Sequence, residues 1–315
     1  MAESNELNFG NLENSNDVIE NNLDDVTQNQ DEKENKIKGL SNEEYNDPNQ
    51  IRVTLANPKV PIVVLFGPPA CGKTMTLVRL ARYLNKQGYK ISPVRTFRPN
   101  NDLNYVELCD NFSQMINSAD AANSTANVSF MLVEVINKDG KCLCQILEAP
   151  GEYYFNPNNP NAAFPSYVNT IIACNNRKLW AIMVEPDWQN TEDRINYVSR
   201  INDLSRQMAS KDKTLFIFNK IDKTNFTRKR GQINIKEARV QTSYLYPGIF
   251  EMFKNQNPIT RFFSGYQCRF VPFQTGTFTE TTKRDRNGNS VQNYQEGPDD
   301  YPRMLWNEIQ KSIVG

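Results

Sequence analysis

Apolar and polar positions alternate along this chain in blocks that switch between two periods. Residues 60–66 (VPIVVLF) form a seven-residue apolar run and read as a buried strand, with Pro61 tolerable at its start. Residues 74–86 carry apolar positions at helical spacing, and Gly88 follows as a stop. A second strand is predicted over 89–95. Residues 128–137 and 141–148 flank Lys138-Asp139-Gly140 and predict a hairpin. Beyond it the pattern predicts a helix near 164–176, a strand over 179–184, a helix over 190–209 and a strand over 214–218. A last strand over 268–273 and a last helix over 301–313 complete the series. Residues 281–298 are polar, punctuated by Gly and Pro, and read as a loop. Strands alternating with helices predict an α/β sandwich: a mostly parallel sheet covered on both faces, with one antiparallel edge strand contributed by the hairpin. No internal repeat is found.

Residues 1–50 break this texture. They hold 13 acidic and 3 basic residues, and Phe9 and Tyr45 are their only aromatics. Such a stretch buries too little apolar area to offset its ordering entropy, so residues 1–52 are expected to be a disordered acidic tail and 53–315 the folded domain. The remaining 265 residues carry 33 basic and 23 acidic side chains, so a formal net charge of zero hides an acidic tail on a basic body. The start of the chain lacks a basic, apolar leader, and no apolar run approaches the ~20 residues of a membrane helix. With no histidine at all, His triads, His-ligated zinc and imidazole acid–base chemistry are excluded. Six cysteines without a CxxC pair are expected to be free thiols in a reducing, cytoplasmic compartment.

One motif then carries chemistry. Residues 67–74 read GPPACGKT and fit G-x-x-x-x-G-K-[ST] at every fixed position, between a predicted strand and a predicted helix. Gly67 and Gly72 let the backbone wrap phosphates. Ala70, Cys71, Gly72, Lys73, Thr74 and Met75 keep N–H groups to donate, whereas Pro68 and Pro69 have none and stiffen the loop. The Lys73 ammonium is expected at the β- and γ-phosphates, and the Thr74 hydroxyl on Mg²⁺. Cys71 has two readings, a thiol activated by the helix N-terminus and Lys73 or a quiet packing residue.

Downstream, the predicted strand 214–218 ends in Asn219-Lys220-Ile221-Asp222. With the phosphate loop, this NKxD signature resembles the Ras-like and translation-factor GTPases of the P-loop class, in which the motif holds guanine. Guanine presents two donors, N1–H and its 2-amino group, and one ionised carboxylate at Asp222 can accept both. The resemblance implies the P-loop NTPase sandwich, with GTP or GDP as ligand and Mg²⁺ as cofactor. It implies Asn219 fixing the loop and touching the base, with the Lys220 stem covering the ring. Leu147-Glu-Ala-Pro-Gly-Glu152 resembles the D-x-x-G switch with Glu148 in place of Asp. It implies Glu148 holding the metal through water and Gly151 giving its N–H to the γ-phosphate. Glu152 stands where the family orients water; it is read either as a proton acceptor for that water or as a solvated loop carboxylate. The metal-ligating threonine of the other switch is Thr125 by element order, or Thr96 beside Arg95 and Arg98. Those two arginines are read as an internal arginine finger or as surface cations. Thr275-Gly276 matches, by position, the loop that contacts the guanine oxygen.

The sequence therefore predicts a guanine-nucleotide switch that hydrolyses GTP slowly and meets a protein effector or regulator. A non-hydrolysing, nucleotide-gated scaffold and an ATP-using P-loop enzyme stand as alternatives. Six basic residues over 223–239 read as a solvated face, with nucleic acid not expected as a partner.

Overall fold

The computed structural model describes residues 39–55, 57–117, 130–186, 188, 190–229, 232–257, 265–284 and 290–314. Its centre is strand β1 (Ile62–Phe66), whose five side chains are all buried. The phosphate loop leads from it into α2 (Lys73–Lys86), and Gly88, at φ 84°, ends the helix as expected. The chain continues through β2 (Lys90–Pro93), α3 (Leu103–Asn117), the hairpin β3 (Met131–Ile136) and β4 (Cys142–Glu148), then α4 (Gly151–Tyr154) and α5 (Ser166–Ala173). Next come β5 (Lys178–Val184), α6 (Thr191–Gln207) and β6 (Lys213–Phe218). Two short strands, β7 (Thr227–Lys229) and β8 (Gln232–Ile233), precede α7 (Ile235–Leu245). Strand β9 (Arg269–Pro272), the hairpin β10 (Gly276–Arg284) and β11 (Ser290–Glu296), and α8 (Asp300–Val314) close the chain. A short helix, α1 (Asn42–Asn46), precedes all of these; its Ser41 and Glu44 form a reciprocal capping box.

Seven strands form one sheet in the order β2-β3-β4-β1-β5-β6-β9. All pairings are parallel except those of β3 with β2 and β4. The antiparallel strand is thus present but second from the edge, because β2 adds outside it. Helix α2 packs against α3 and α8. Every loop that leaves a parallel strand at its C-terminal end opens on the same edge, where such sheets bind ligands.

Three expectations need correction. The first concerns 281–298: most of this stretch belongs to the β10–β11 hairpin, paired antiparallel from Gly276↔Glu296 to Arg284↔Ser290. The second concerns the tail boundary at 52, since residues 39–52 belong to the fold. Leu40 and Ile51 lie in the core, Thr54 N–H donates to the Phe97 carbonyl (2.8 Å), and the buried Arg98 pairs with Glu44. Residues 1–38 lie outside the described residues. The third concerns the stretch between the predicted strand 89–95 and the hairpin from 128, for which the pattern predicts no element and which holds the helix α3. Its buried Tyr105, Leu108, Cys109, Phe112, Met115 and Ile116 repeat at helical spacing.

The second hairpin is tied to the phosphate loop's own helix. Arg79, Arg82 and Lys86 lie along one face of α2 and converge on Glu296, at 3.2, 2.8 and 3.1 Å. Arg79 and Arg82 are buried, and Arg79 also donates to the Gly297 carbonyl (2.7 Å). Removing Glu296 takes a carboxylate from two buried guanidinium groups, of which Arg79 keeps its pair with Asp299 (2.5 Å) and Arg82 its bond to the Met115 carbonyl (3.0 Å). Glu296→Ala is expected to lower unfolding stability by about 2–4 kcal/mol, read by urea denaturation. A loss within about 0.5 kcal/mol, the range of an ordinary surface change, would count against this clamp.

Candidate nucleotide site

Four loops from β1, β4, β6 and β9 meet at the C-terminal edge of the sheet. In the phosphate loop, Ala70 and Gly72 both take left-handed backbone, at φ 58° and 93°. A Cβ on Gly72 would stand 2.3 Å from the Asn219 amide nitrogen, so the position has no room for a side chain. The Lys73 ammonium is buried and donates to the carbonyls of Gly67 (3.1 Å) and Pro68 (3.0 Å). Those contacts curl the loop around its own lysine. Cys71 is buried, and burial raises its thiol pKa despite the opposing charge of Lys73. The activated-thiol reading of Cys71 fails for that reason; its sulfur packs where a Gly67 side chain would be.

Glu148 ends β4, which pairs directly with β1. The Thr74 hydroxyl donates to its Oε1 at 2.8 Å, while its Oε2 is buried without a hydrogen-bond partner. An orphaned carboxylate oxygen beside a threonine hydroxyl, at the mouth of a phosphate loop, is a fitting donor set for Mg²⁺. This cation takes one or two protein groups and completes its shell with phosphates and water. The described residues contain no cluster of three or more Cys, Asp or Glu, so an all-protein cage is not formed among them.

Burial pushes the Glu148 carboxyl up to about 7 from its ordinary 4.5, against the pull of Lys73 and the Thr74 hydrogen bond. The Glu152 charge pushes in the same direction as burial. A folded value above the unfolded one means that the native state binds more protons between those two pH values. Stability of the metal-free protein therefore falls as pH rises through that window, by on the order of 3 kcal/mol. Glu148→Gln is expected to flatten this slope, measured by urea denaturation in chelator at about pH 5 and about pH 8. An unchanged slope would assign the titration to another group.

Gly151 opens α4 against the phosphate loop. A Cβ there would lie 2.3 Å from the Pro69 nitrogen and 2.4 Å from the Pro68 carbonyl carbon, a contact only glycine permits. Glu152 follows, exposed and making no ion pair among the described residues. The Asn219 amide donates to the Cys71 carbonyl at 2.9 Å, bonding the NKxD loop to the phosphate loop. Asn219 is buried, consistent with a loop-fixing role; its contact with a base remains an expectation. Lys220 takes left-handed backbone at φ 55° and pairs with Glu185, the first residue beyond β5. Asp222 lies exposed in the turn that follows. The Ile221 N–H donates to the Phe273 carbonyl (3.2 Å), and the Phe273 N–H to that of Phe218 (2.8 Å). This ladder brings Thr275 and Gly276 beside the NKxD turn. The Thr275 carbonyl accepts from the Tyr294 hydroxyl at 2.8 Å.

The other switch remains open. Thr96 is exposed in a single helical turn, Arg95–Phe97, and Thr125 lies outside the described residues. Neither arginine beside Thr96 is uncommitted. Arg95 pairs with Asp110, and Arg98 bonds Asp102 (2.9 Å) and the Arg52 carbonyl (2.7 Å) besides Glu44. Arg98 is buried, so it is neither a surface cation nor a finger free to reach a phosphate. Arg239, read as part of a solvated basic face, instead lies over the rings of Phe250, Tyr266 and Phe270 at 5.2–5.7 Å.

Several participants escape a motif search. Glu185 is signalled only by its place directly after an apolar strand. The segment 41–54 reaches the switch region through Tyr45, whose carbonyl accepts from the Tyr153 hydroxyl (3.4 Å). It reaches it again through Asn49, which accepts from the Ser166 N–H and hydroxyl (3.1 and 3.0 Å). Arg200 of α6 holds the loop after α4, and nothing in its sequence context marks it.

No protein family and no curated protein matches the sequence. Among solved structures, a Plasmodium falciparum protein assigned as nucleolar GTP-binding protein 1 is 14% identical, with a TM-score of 0.35. It is matched over 82% of this chain and 90% of its own. The GDP-bound RocCORdC unit of Methanosarcina barkeri Roco2 is 13% identical with a TM-score of 0.34, over 84% of this chain and 51% of its own. The Saccharomyces cerevisiae Ski7 GTPase-like domain, bound to GDP and inorganic phosphate, is 14% identical with a TM-score of 0.36, over 80% and 50%. This chain spans about half the length of the last two. At these values the likeness carries no argument of its own, and the functional reading rests on the residues of this chain.

Proposed function

We propose that the chain is a guanine-nucleotide-binding switch that hydrolyses GTP to GDP slowly with Mg²⁺, its nucleotide domain running from about residue 39 to the end of the described chain. The observation that carries this reading is the hydrogen bond from Asn219 to the Cys71 carbonyl (2.9 Å). It joins a loop suited to phosphates to a loop suited to guanine, at a sheet edge where α/β folds hold ligands.

In this reading the N–H groups of residues 70–75 and the N-terminus of α2 bind phosphate oxygens. Lys73 neutralises the β/γ charge, the Gly151 N–H faces the γ-phosphate, and Asp222 accepts both guanine donors. Thr74 and Glu148 would hold Mg²⁺, which supplies charge neutralisation and orientation of the phosphates when bound. Hydrolysis is in-line attack of water on the γ-phosphorus, with the bond to the bridging oxygen breaking and a proton leaving the water. Such transfer depends on positioning and electrostatics, so the lack of histidine is no obstacle.

A non-hydrolysing scaffold is the second reading. It is favoured by Glu152, whose charge already faces that of Glu148 at the position that orients water. Six free thiols fit a reducing, cytoplasmic setting, and no helix among the described residues is long and apolar enough to cross a membrane. An effector or regulator is expected to meet the segments flanking the phosphates.

The test is titration calorimetry of the full chain with Mg²⁺ and GDP, a slowly hydrolysed GTP analogue, or ATP. Guanine-selective binding supports the reading, and phosphate release then separates the switch from the scaffold. ATP binding equal to or tighter than GDP would overturn it.

A further inference from the structure

One buried cation makes no ion pair among the described residues. Arg200 projects from α6 into the base of the loop after α4. Its Nε donates to the Tyr154 carbonyl (2.8 Å) and its Nη1 to the Ala162 carbonyl (2.7 Å). Its guanidinium carbon lies 3.5 Å from the centroid of the Phe164 ring. The residue is only 6% exposed, yet it makes no ion pair among the described residues, and Nη2 has no hydrogen-bond partner. Burial lowers its pKa; the charge of Asp203, three residues on and paired with Arg206, opposes this without forming an ion pair with Arg200.

The guanidinium lines a cavity of about 220 Å³, too small for a nucleotide and large enough for one side-chain end. Glu152 lines the same cavity, with Tyr153, Pro160 and Pro165 around it. Glu152 is equally unpaired. It is exposed, and its charge opposes that of Glu148. A carboxylate and a guanidinium, neither in an ion pair among the described residues, thus border one cavity beside Gly151. A third phosphate at this site adds negative charge next to Glu148, and an ionised Glu152 resists that addition unless a cation takes it up.

Resting on the guanine-nucleotide reading, we propose that in the triphosphate state Glu152 turns into this cavity and pairs with Arg200. Arg200 is then a positioning residue. It draws the carboxylate at the water-orienting position away from the γ-phosphate and holds it through a planar fork. The same guanidinium grips the loop at Tyr154 and Ala162. Both bonds are present in this structure, so pairing adds a charge contact that restrains residues 155–162 further while a triphosphate is bound. The loop becomes a reporter of nucleotide state through a charge pair.

The experiment compares GDP with the slowly hydrolysed GTP analogue, both with Mg²⁺, on wild type, Arg200→Met, Glu152→Gln and the double variant. The readout is the ratio of analogue affinity to GDP affinity, which a general loosening of the fold does not move. Arg200→Met is expected to lower this ratio about tenfold. Adding Glu152→Gln is expected to restore it to within about twofold of Glu152→Gln alone. If Glu152→Gln changes the ratio by the same factor with and without Arg200, the pair does not form and the proposal falls. Should Arg200→Met not fold, amide hydrogen exchange over 153–164 tests the exposed Glu152 alone. Wild type should gain protection when the analogue replaces GDP, and Glu152→Gln should lose most of that gain; an equal gain overturns the proposal. Wild type without guanine-nucleotide binding overturns the nucleotide reading and this pairing together. Intact GDP binding with equal factors overturns the pairing alone.

Discussion

Lys73→Met is expected to lower GDP affinity by about a hundredfold to a thousandfold, measured by calorimetry with Mg²⁺. In the proposed function the ammonium is the cation that faces the phosphates, and removing one partner of a desolvated charge pair costs about 3–5 kcal/mol. Its second task is internal. The carbonyls of Gly67 and Pro68 accept from it at 3.1 and 3.0 Å, and methionine leaves both without that donor. The loop would lose its curl as well as its charge, so phosphate binding should fall for GDP and the triphosphate analogue alike. A drop of less than about tenfold would mean that the phosphates lie elsewhere, because charge-assisted hydrogen bonds alone are worth more than that.

Asp222→Asn is expected to have a comparable effect of a different kind. The amide still accepts one guanine donor but turns its own N–H₂ toward the other. GDP should bind at least about a hundredfold more weakly, since a site built for a donor pair rejects a mismatch steeply. Xanthosine diphosphate, with an oxygen where guanine has its amino group, should bind the variant better than GDP does. The substitution leaves the phosphate loop unchanged, so ADP affinity should stay within about threefold of wild type. Unchanged GDP affinity would remove Asp222 from the base site and leave only the phosphate loop.

The legible parts of this molecule are those whose signal is local. Strands β1, β5 and β6 are buried on both faces and appear as unbroken apolar runs. The phosphate loop needs its glycines at fixed spacing, so the motif and the backbone conformation coincide at Gly72. The β10–β11 hairpin was not legible because Thr-Phe-Thr-Glu-Thr-Thr-Lys-Arg is polar at nearly every position. Without an apolar face it reads as loop, and its place is set by Glu296 meeting three cations of α2. Residues 39–52 looked like tail because only Leu40 and Ile51 carry their packing, with Arg98 reaching back to Glu44 across 54 residues of sequence. Helix α3 had the right spacing but sat in an interval that the GTPase resemblance assigns to a switch. Arg200 and Glu185 matter through partners brought close by the fold, and sequence neighbours say nothing of such partners.

In the proposed function, the bond between Asn219 and the Cys71 carbonyl links the two halves of the site into one chelator. A nucleotide held by one end has its other end already presented, so the second contact forms at high effective concentration without a further loss of translational freedom. GDP should therefore bind more tightly than the binding free energies of guanosine and pyrophosphate would give if simply added. Cutting the bond would leave each half able to hold its own fragment while uncoupling the halves.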